Sequence, residues 1–122
     1  MLIKGLYELL SFDYQEEHIE ASVKLNKEHQ IFEGHFPGHP VLPGVCVIQM
    51  IKELTEQALA KPLLLSMASN VKFMAVINPE KNDTITFKLD LTETGDEIKI
   101  KNTVSFEDTL ALKLSATFKN RV

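Results

Sequence analysis

The chain has 122 residues, 44% hydrophobic and 25% charged, which is the profile of one globular domain with a single core rather than of a tail or a linker. Its 13 basic residues are interleaved with 17 acidic ones for a formal net charge of -4, which argues against a nucleic-acid surface, where lysine and arginine must mass on one face. No stretch has the apolar length needed to span a bilayer, and Met1-Leu-Ile-Lys-Gly lacks the features of a secretory signal, so a soluble, cytoplasmic single domain over 1–122 without membrane insertion is expected.

Along the chain, Ile19, Ala21, Val23 and Leu25 alternate with polar residues from His18 to Leu25, which predicts a strand with one face on a core. Next, Val47, Ile48, Ile51, Leu54, Ala58 and Leu59 recur at helical spacing. That helix should open near Pro43-Gly44, where proline's missing N–H costs nothing, and end before Pro62. Its first half, Val45 to Ile51, is apolar almost all round and is expected to be buried. Cys46 lies in that run; a lone cysteine forms no intrachain disulfide, and a small buried side chain in a reducing compartment is the expectation.

Period-2 patterns then return three times: Ile85, Phe87, Leu89 and Leu91; Ile98, Ile100 and Val104; and Leu110, Leu112, Leu114, Ala116 and Phe118. Thr94-Gly-Asp96 and Glu107-Asp108 supply the turns of an antiparallel meander. One buried helix with such a sheet predicts an α+β domain, the sheet curled around the helix.

Three of the five prolines and three of the five glycines fall within residues 34 to 44. A loop this stiff between a strand and a buried helix usually positions something, the alternative being a purely structural turn. The stretch Gly34-His35-Phe36-Pro37-Gly38-His39-Pro40-Val41-Leu42-Pro43-Gly44-Val45 resembles the active-site signature of the bacterial 3-hydroxyacyl-acyl carrier protein dehydratases. Ser69 to Asp83, Ser-Asn-Val-Lys-Phe-Met-Ala-Val-Ile-Asn-Pro-Glu-Lys-Asn-Asp, resembles more weakly the segment that follows that family's central helix.

The resemblance implies a hot-dog fold, a curved antiparallel sheet wrapped around one central helix, pairing into dimers whose sites take a histidine from one chain and an acid from the other. It implies a 3-hydroxyacyl thioester substrate carried on the phosphopantetheine of an acyl carrier protein, with no other cofactor. His35 matches the catalytic histidine, and an imidazole can act as base and then acid near neutral pH. Gly44 matches the glycine whose backbone N–H polarises the thioester carbonyl, which suits the unpartnered N–H groups at a helix start. Phe32, Phe36, Pro43 and Val45 are candidates for lining the acyl passage, the two phenylalanines being equally readable as core aromatics.

One position departs from the family. Gln49, five residues after Gly44, stands where the family carries glutamate or aspartate. An amide can orient a hydroxyl but neither gives nor takes a proton, and losing an acid–base group costs roughly 10²- to 10⁴-fold in rate. Three readings stay open. His35 works alone while Gln49 orients the leaving hydroxyl; or Glu53, one turn on where the family often has glutamine, substitutes as the acid; or the protein is a non-catalytic subunit that pairs with an active homologue or binds acyl chains. The second requires a shift of about 6 Å, the rise of four helical residues. Otherwise Glu53 is a surface or subunit-contact charge beside Lys52 and Glu56.

A hot-dog acyl thioesterase is the rival enzyme, compatible with a glutamine that positions water. A metal site built from His29, His35, His39 and Glu33 is not expected, because Pro37, Gly38 and Pro40 forbid the helix that would pair His35 with His39. His39 reads as a loop residue bonded to backbone, and His18 and His29 as solvated. No phosphate-cradling or dinucleotide glycine motif is present, so no nucleotide cofactor is implied. Acyl chain length and pathway, whether fatty acid or polyketide, are not written in these residues.

Overall fold

The computed structural model describes residues 4–34, 38 and 40–120. Strands β1 (Tyr7–Gln15) and β2 (His18–Leu25) form a hairpin, followed by a 3-10 turn at Gln30–Phe32 and helix α1 (Gly44–Leu59). Strands β3 (Leu63–Phe73), β4 (Thr84–Thr94), β5 (Glu97–Phe106) and β6 (Thr109–Asn120) complete one six-stranded sheet, in the order β1-β2-β4-β5-β6-β3 with every neighbouring pair antiparallel. The chain after α1 therefore goes to the far edge of the sheet before the meander fills the space between.

The alternations read from sequence are the sheet's inner face. Ile19, Ala21, Val23, Phe87, Leu89, Ile98, Ile100, Val104, Leu112 and Phe118 are all buried in one cluster. Helix α1 adds Val47, Met50, Ile51 and Leu54 to that cluster. Both meander turns lie where expected, the first with Gly95 at φ +64. Pro43 is the N-cap of α1, and Ala60 ends it in the left-handed conformation with its N–H on the Glu56 carbonyl, two residues before Pro62. One expectation is corrected: the first half of α1 is not buried all round. Val45 is 75% exposed and Ile48 only half-buried, because a helix lying on one sheet has a second side that this chain does not cover.

Two strands escaped the sequence reading. In β1 the inward residues Tyr7, Leu9, Phe12 and Tyr14 change phase at a bulge between Leu9 and Ser11, so no single period of two runs through the strand. The β1–β2 turn carries no glycine or asparagine; Glu16 and Glu17 both take positive φ, +50 and +65, in a two-residue loop. In β3, bulges between Leu65 and Met67 and between Ser69 and Lys72 break the alternation twice.

The Glu16-Glu17 loop gives the first prediction. Left-handed backbone costs an ordinary residue roughly 1–2 kcal/mol, and asparagine followed by glycine is the favoured pair for such a hairpin. Glu16→Asn with Glu17→Gly should therefore stabilise the fold by about 1 kcal/mol and raise the thermal midpoint by roughly 3–6 °C. An unchanged midpoint in calorimetry would mean that the loop does not hold this conformation in solution.

Candidate functional site

Residues 40–44 reach α1 along a wall of the sheet. The Leu42 N–H donates to the Ile77 carbonyl at 2.8 Å, and the N–H groups of Met74 and Ala75 both reach the Ala111 carbonyl, at 2.8 and 3.1 Å. These bonds stitch the loop, the Met74–Ile77 segment and the start of β6 into one support. At its end Pro43 is extended (φ -66, ψ 147), which stops helical backbone from starting earlier and lets α1 open at Gly44.

Among the described residues the N-terminus of α1 is chemically bare. Pro43 makes no side-chain cap, no acidic residue occupies the first turn, and the Pro43 carbonyl takes the N–H groups of Cys46 and Val47 at 3.0 and 3.3 Å. Preceding N–H groups in a helix have no intrahelical acceptor, and the dipole makes this end partly positive. An oxygen that gains negative charge is what such an end can hold.

Glycine is required at this point for a packing reason as well. A Cβ built on Gly44 would come within 2.9 Å of Phe73 Cζ, so the aromatic ring lies directly over the first residue of the helix. Beside it opens a groove of about 470 Å³ whose walls include Leu42, Pro43, Gly44, Phe73, Val76 and Leu112. It is mostly apolar, and Phe73 and Val76 are themselves exposed.

Farther along α1, Gln49 and Glu53 share one stripe. Gln49 Nε2 donates to Glu53 Oε2 at 2.9 Å, and the Tyr7 hydroxyl, arriving from β1, donates to Glu53 Oε1 at 2.6 Å. Burial, reinforced by the Glu53 hydrogen bond and its charge, pushes the Tyr7 phenol well above its ordinary range. Glu53 is thus engaged at both oxygens. Glu56 is tied separately, accepting from the Leu63 N–H at 2.8 Å and pairing with Lys52 at 3.4 Å.

Of the residues singled out from sequence, Pro43 and Gly44 meet at the groove, and Gln49 and Glu53 meet each other. Phe32 is 5% exposed in the core and is not among the groove's walls, which is the core-aromatic reading of that residue. Val45 points outward from α1. His35, Phe36 and His39 lie outside the described residues. Cys46 is buried, and burial raises its thiol pKa, so it is held as a neutral thiol. His18 is exposed and paired with Asp90. The reading of His29 as solvated is corrected: it is half-buried, its Nδ1 accepts from the Ile31 N–H at 3.0 Å and caps the 3-10 turn, and its Nε2 donates to the Lys4 carbonyl at 2.9 Å, tying that turn to the segment before β1. Among the described residues no three histidine, cysteine, aspartate or glutamate side chains gather as a metal site, and no helix is long and apolar enough to cross a membrane.

Sequence reasoning missed Tyr7 and Phe73. Tyr7 sits in the strand whose period is broken by a bulge, and Phe73 ends the strand broken twice, so neither carried a pattern that placed it.

One helix against a six-stranded antiparallel sheet, with a bare helix start beside an apolar groove, defines a hot-dog protein. Residues 11–111 match the model of the ApeI-like family, described as ApeI dehydratase, and the chain belongs to that family. Among curated relatives it is 28% identical to the 3-hydroxyacyl-[acyl-carrier-protein] dehydratase FabZ of Lactobacillus helveticus, covering 96% of this chain and 86% of the relative. It is 30% identical to the FabZ of Latilactobacillus sakei over 82% of this chain and 74% of the relative. The dehydratase heterocomplex ApeI:P from Xenorhabdus doucetiae contains a chain of the same fold, with a TM-score of 0.76 at 22% identity, covering 93% of this chain and 98% of that one.

The Gly44–Phe73 contact predicts a change of sign. In the wild type, Gly44→Ala should destabilise by about 1 kcal/mol, since the ring must move. In a Phe73→Ala background the same substitution should stabilise by about 0.4–1 kcal/mol, by restricting the unfolded chain. Urea unfolding of the four proteins reads the coupling directly, and equal effects in both backgrounds would contradict the contact.

Proposed function

We propose that the protein dehydrates 3-hydroxyacyl thioesters carried on the phosphopantetheine of an acyl carrier protein, giving the trans-2-enoyl thioester and water. The observation that carries this reading is the bare start of α1 at Gly44, opening on an apolar groove. The thioester carbonyl oxygen would lie at the helix start, where free N–H groups and the dipole stabilise the negative charge that develops when the adjacent C–H loses its proton. His35 takes that proton and returns it to the departing β-hydroxyl on the same face. The C–O bond breaks, the α,β double bond forms, and the proton leaves in the water. Gln49 orients the hydroxyl.

The test is enoyl formation from 3-hydroxyacyl-carrier-protein substrates, followed by absorbance, with wild type, His35→Ala and Gln49→Glu. Wild-type turnover that falls roughly 10²- to 10⁴-fold in His35→Ala is the expected result. A second reading is favoured by the amide at position 49: a non-catalytic subunit completed by a homologue that brings its own acid. It predicts a silent wild type and activity gained by Gln49→Glu.

Either reading includes pairing, with a second copy or with a homologue, along β3, which among the described residues is an unpaired sheet edge with Leu64, Leu65, Met67, Val71 and Phe73 exposed. Met67→Lys with Val71→Lys should turn a dimer into a monomer in light scattering and lower turnover in parallel. A double variant that remains dimeric would move the interface elsewhere.

A further inference from the structure

The sequence offers Gln49 as an orienting group but leaves open which end of its amide faces the substrate. The hydrogen bonds around Glu53 remove that freedom. An ionised carboxylate has acceptors and no donors, so the atom of Gln49 lying 2.9 Å from Glu53 Oε2 must be the Nε2 nitrogen. With Nε2 turned along the helix toward Glu53, the Gln49 carbonyl oxygen is the end left to accept a hydrogen bond from elsewhere.

Glu53 alone is a weak anchor for this. A glutamate on a helix surface has three rotatable bonds, and an i, i+4 side-chain pair on its own holds it only weakly. What fixes it here is a residue 46 positions away in sequence: Tyr7 donates its hydroxyl to the other carboxylate oxygen at 2.6 Å. The phenol is half-buried and packs against the core, so its position is set by the sheet. Its elevated ionisation range keeps it a donor at physiological pH. Each bond in the chain Tyr7 O–H to Glu53 to Gln49 therefore has one possible direction.

We propose that Tyr7 is a positioning residue of the site: through Glu53 it holds the Gln49 amide with its carbonyl oxygen presented as the acceptor for the substrate's β-hydroxyl hydrogen. The proposal rests on the dehydration reading for the identity of that hydroxyl, while the orientation of the amide does not. It gives Glu53 a role distinct from that of a substitute acid, because both its oxygens are already engaged inside the protein. A hydroxyl that donates its hydrogen to Gln49 keeps its lone pairs free for the proton it must gain to depart as water.

The test has two readouts on the intact protein. The first is the side-chain amide resonance of Gln49, identified by its loss in Gln49→Met. It should stand apart from the solvent-exposed glutamine amides in wild type, and move to their position in Tyr7→Phe. A resonance that does not move overturns the proposal. The second is turnover: Tyr7→Phe should lower kcat about tenfold with KM within twofold, and Glu53→Gln should do the same, since a second amide at position 53 lets Gln49 present either end. An unchanged kcat in an active enzyme, or a loss explained by a lower thermal midpoint, also overturns it. If the resonance moves as expected but wild type shows no dehydration, the amide is positioned as stated and it is the dehydration reading that fails, taking the assigned role of the carbonyl oxygen with it.

Discussion

A helix of 16 residues is marginal on its own in water, so α1 exists because Val47, Met50, Ile51 and Leu54 are buried against one face of one sheet. Each such side chain contributes roughly 1.5–3 kcal/mol on burial, enough in sum to fix the helix axis against the strands. The place where the helix can begin is then decided by the loop that feeds it. Leu42 is bonded to Ile77, Pro43 is held extended as the N-cap, and at position 44 only glycine admits the Phe73 ring above it. The bare N–H groups are thus delivered to the groove by packing that lies behind them.

That geometry has an electrostatic consequence along α1. Charge that develops on an oxygen at the start of the helix is stabilised by the dipole, and any carboxylate close to it is repelled. The chain carries a neutral amide five residues after the helix start and the first of the helix's two carboxylates four residues farther on, about 6 Å along the axis. On the proposed dehydration the arrangement would lower repulsion at the developing oxyanion, and it leaves position 49 without a proton to give. An elimination run on such a site has to pass its proton through one group, which is why the orientation of the amide carries more weight here than it would beside a free acid.

Most of the fold was legible because its signals are local. Period-two runs in β2, β4, β5 and β6 and a 3.6-residue period in α1 gave the layers, and Pro43, Gly44 and Pro62 gave the helix ends. What could not be read was non-local. A bulge shifts the inward face of β1 from Leu9 to Phe12, and a hairpin loop of two glutamates gives no turn signal, because the strain of two left-handed residues is imposed by the pairing of β1 with β2. Asn102 shows the same limit in β5: it is 3% exposed on the face that carries Ile98, Ile100 and Val104, where its polarity hides the period. In the site, the positions of Gly44, Gln49 and Glu53 came from the motif and the helical stripe. Their partners Phe73 and Tyr7 came from strands at opposite edges of the sheet, and only the folded register brings those edges to one helix.

The two sheet edges also differ in a way that bears on what covers the groove. At the β1 edge the outward positions include Glu8, Asp13 and Gln15, charged or polar groups that resist the approach of another strand. The β3 edge exposes Leu64, Leu65, Met67, Val71 and Phe73 with Lys72 as its one cation. A protein that left such an edge open to water would carry an aggregation site along one whole strand. Phe73 belongs to that edge and to the groove wall at once, so whatever buries β3 also closes off the helix start from solvent. Removing water there strengthens the hold of the N–H groups on a developing charge, because each of those hydrogen bonds is stronger at low dielectric. The exposed apolar surface of β3 and the partly positive helix start therefore meet at the same few residues, around Phe73 and Gly44.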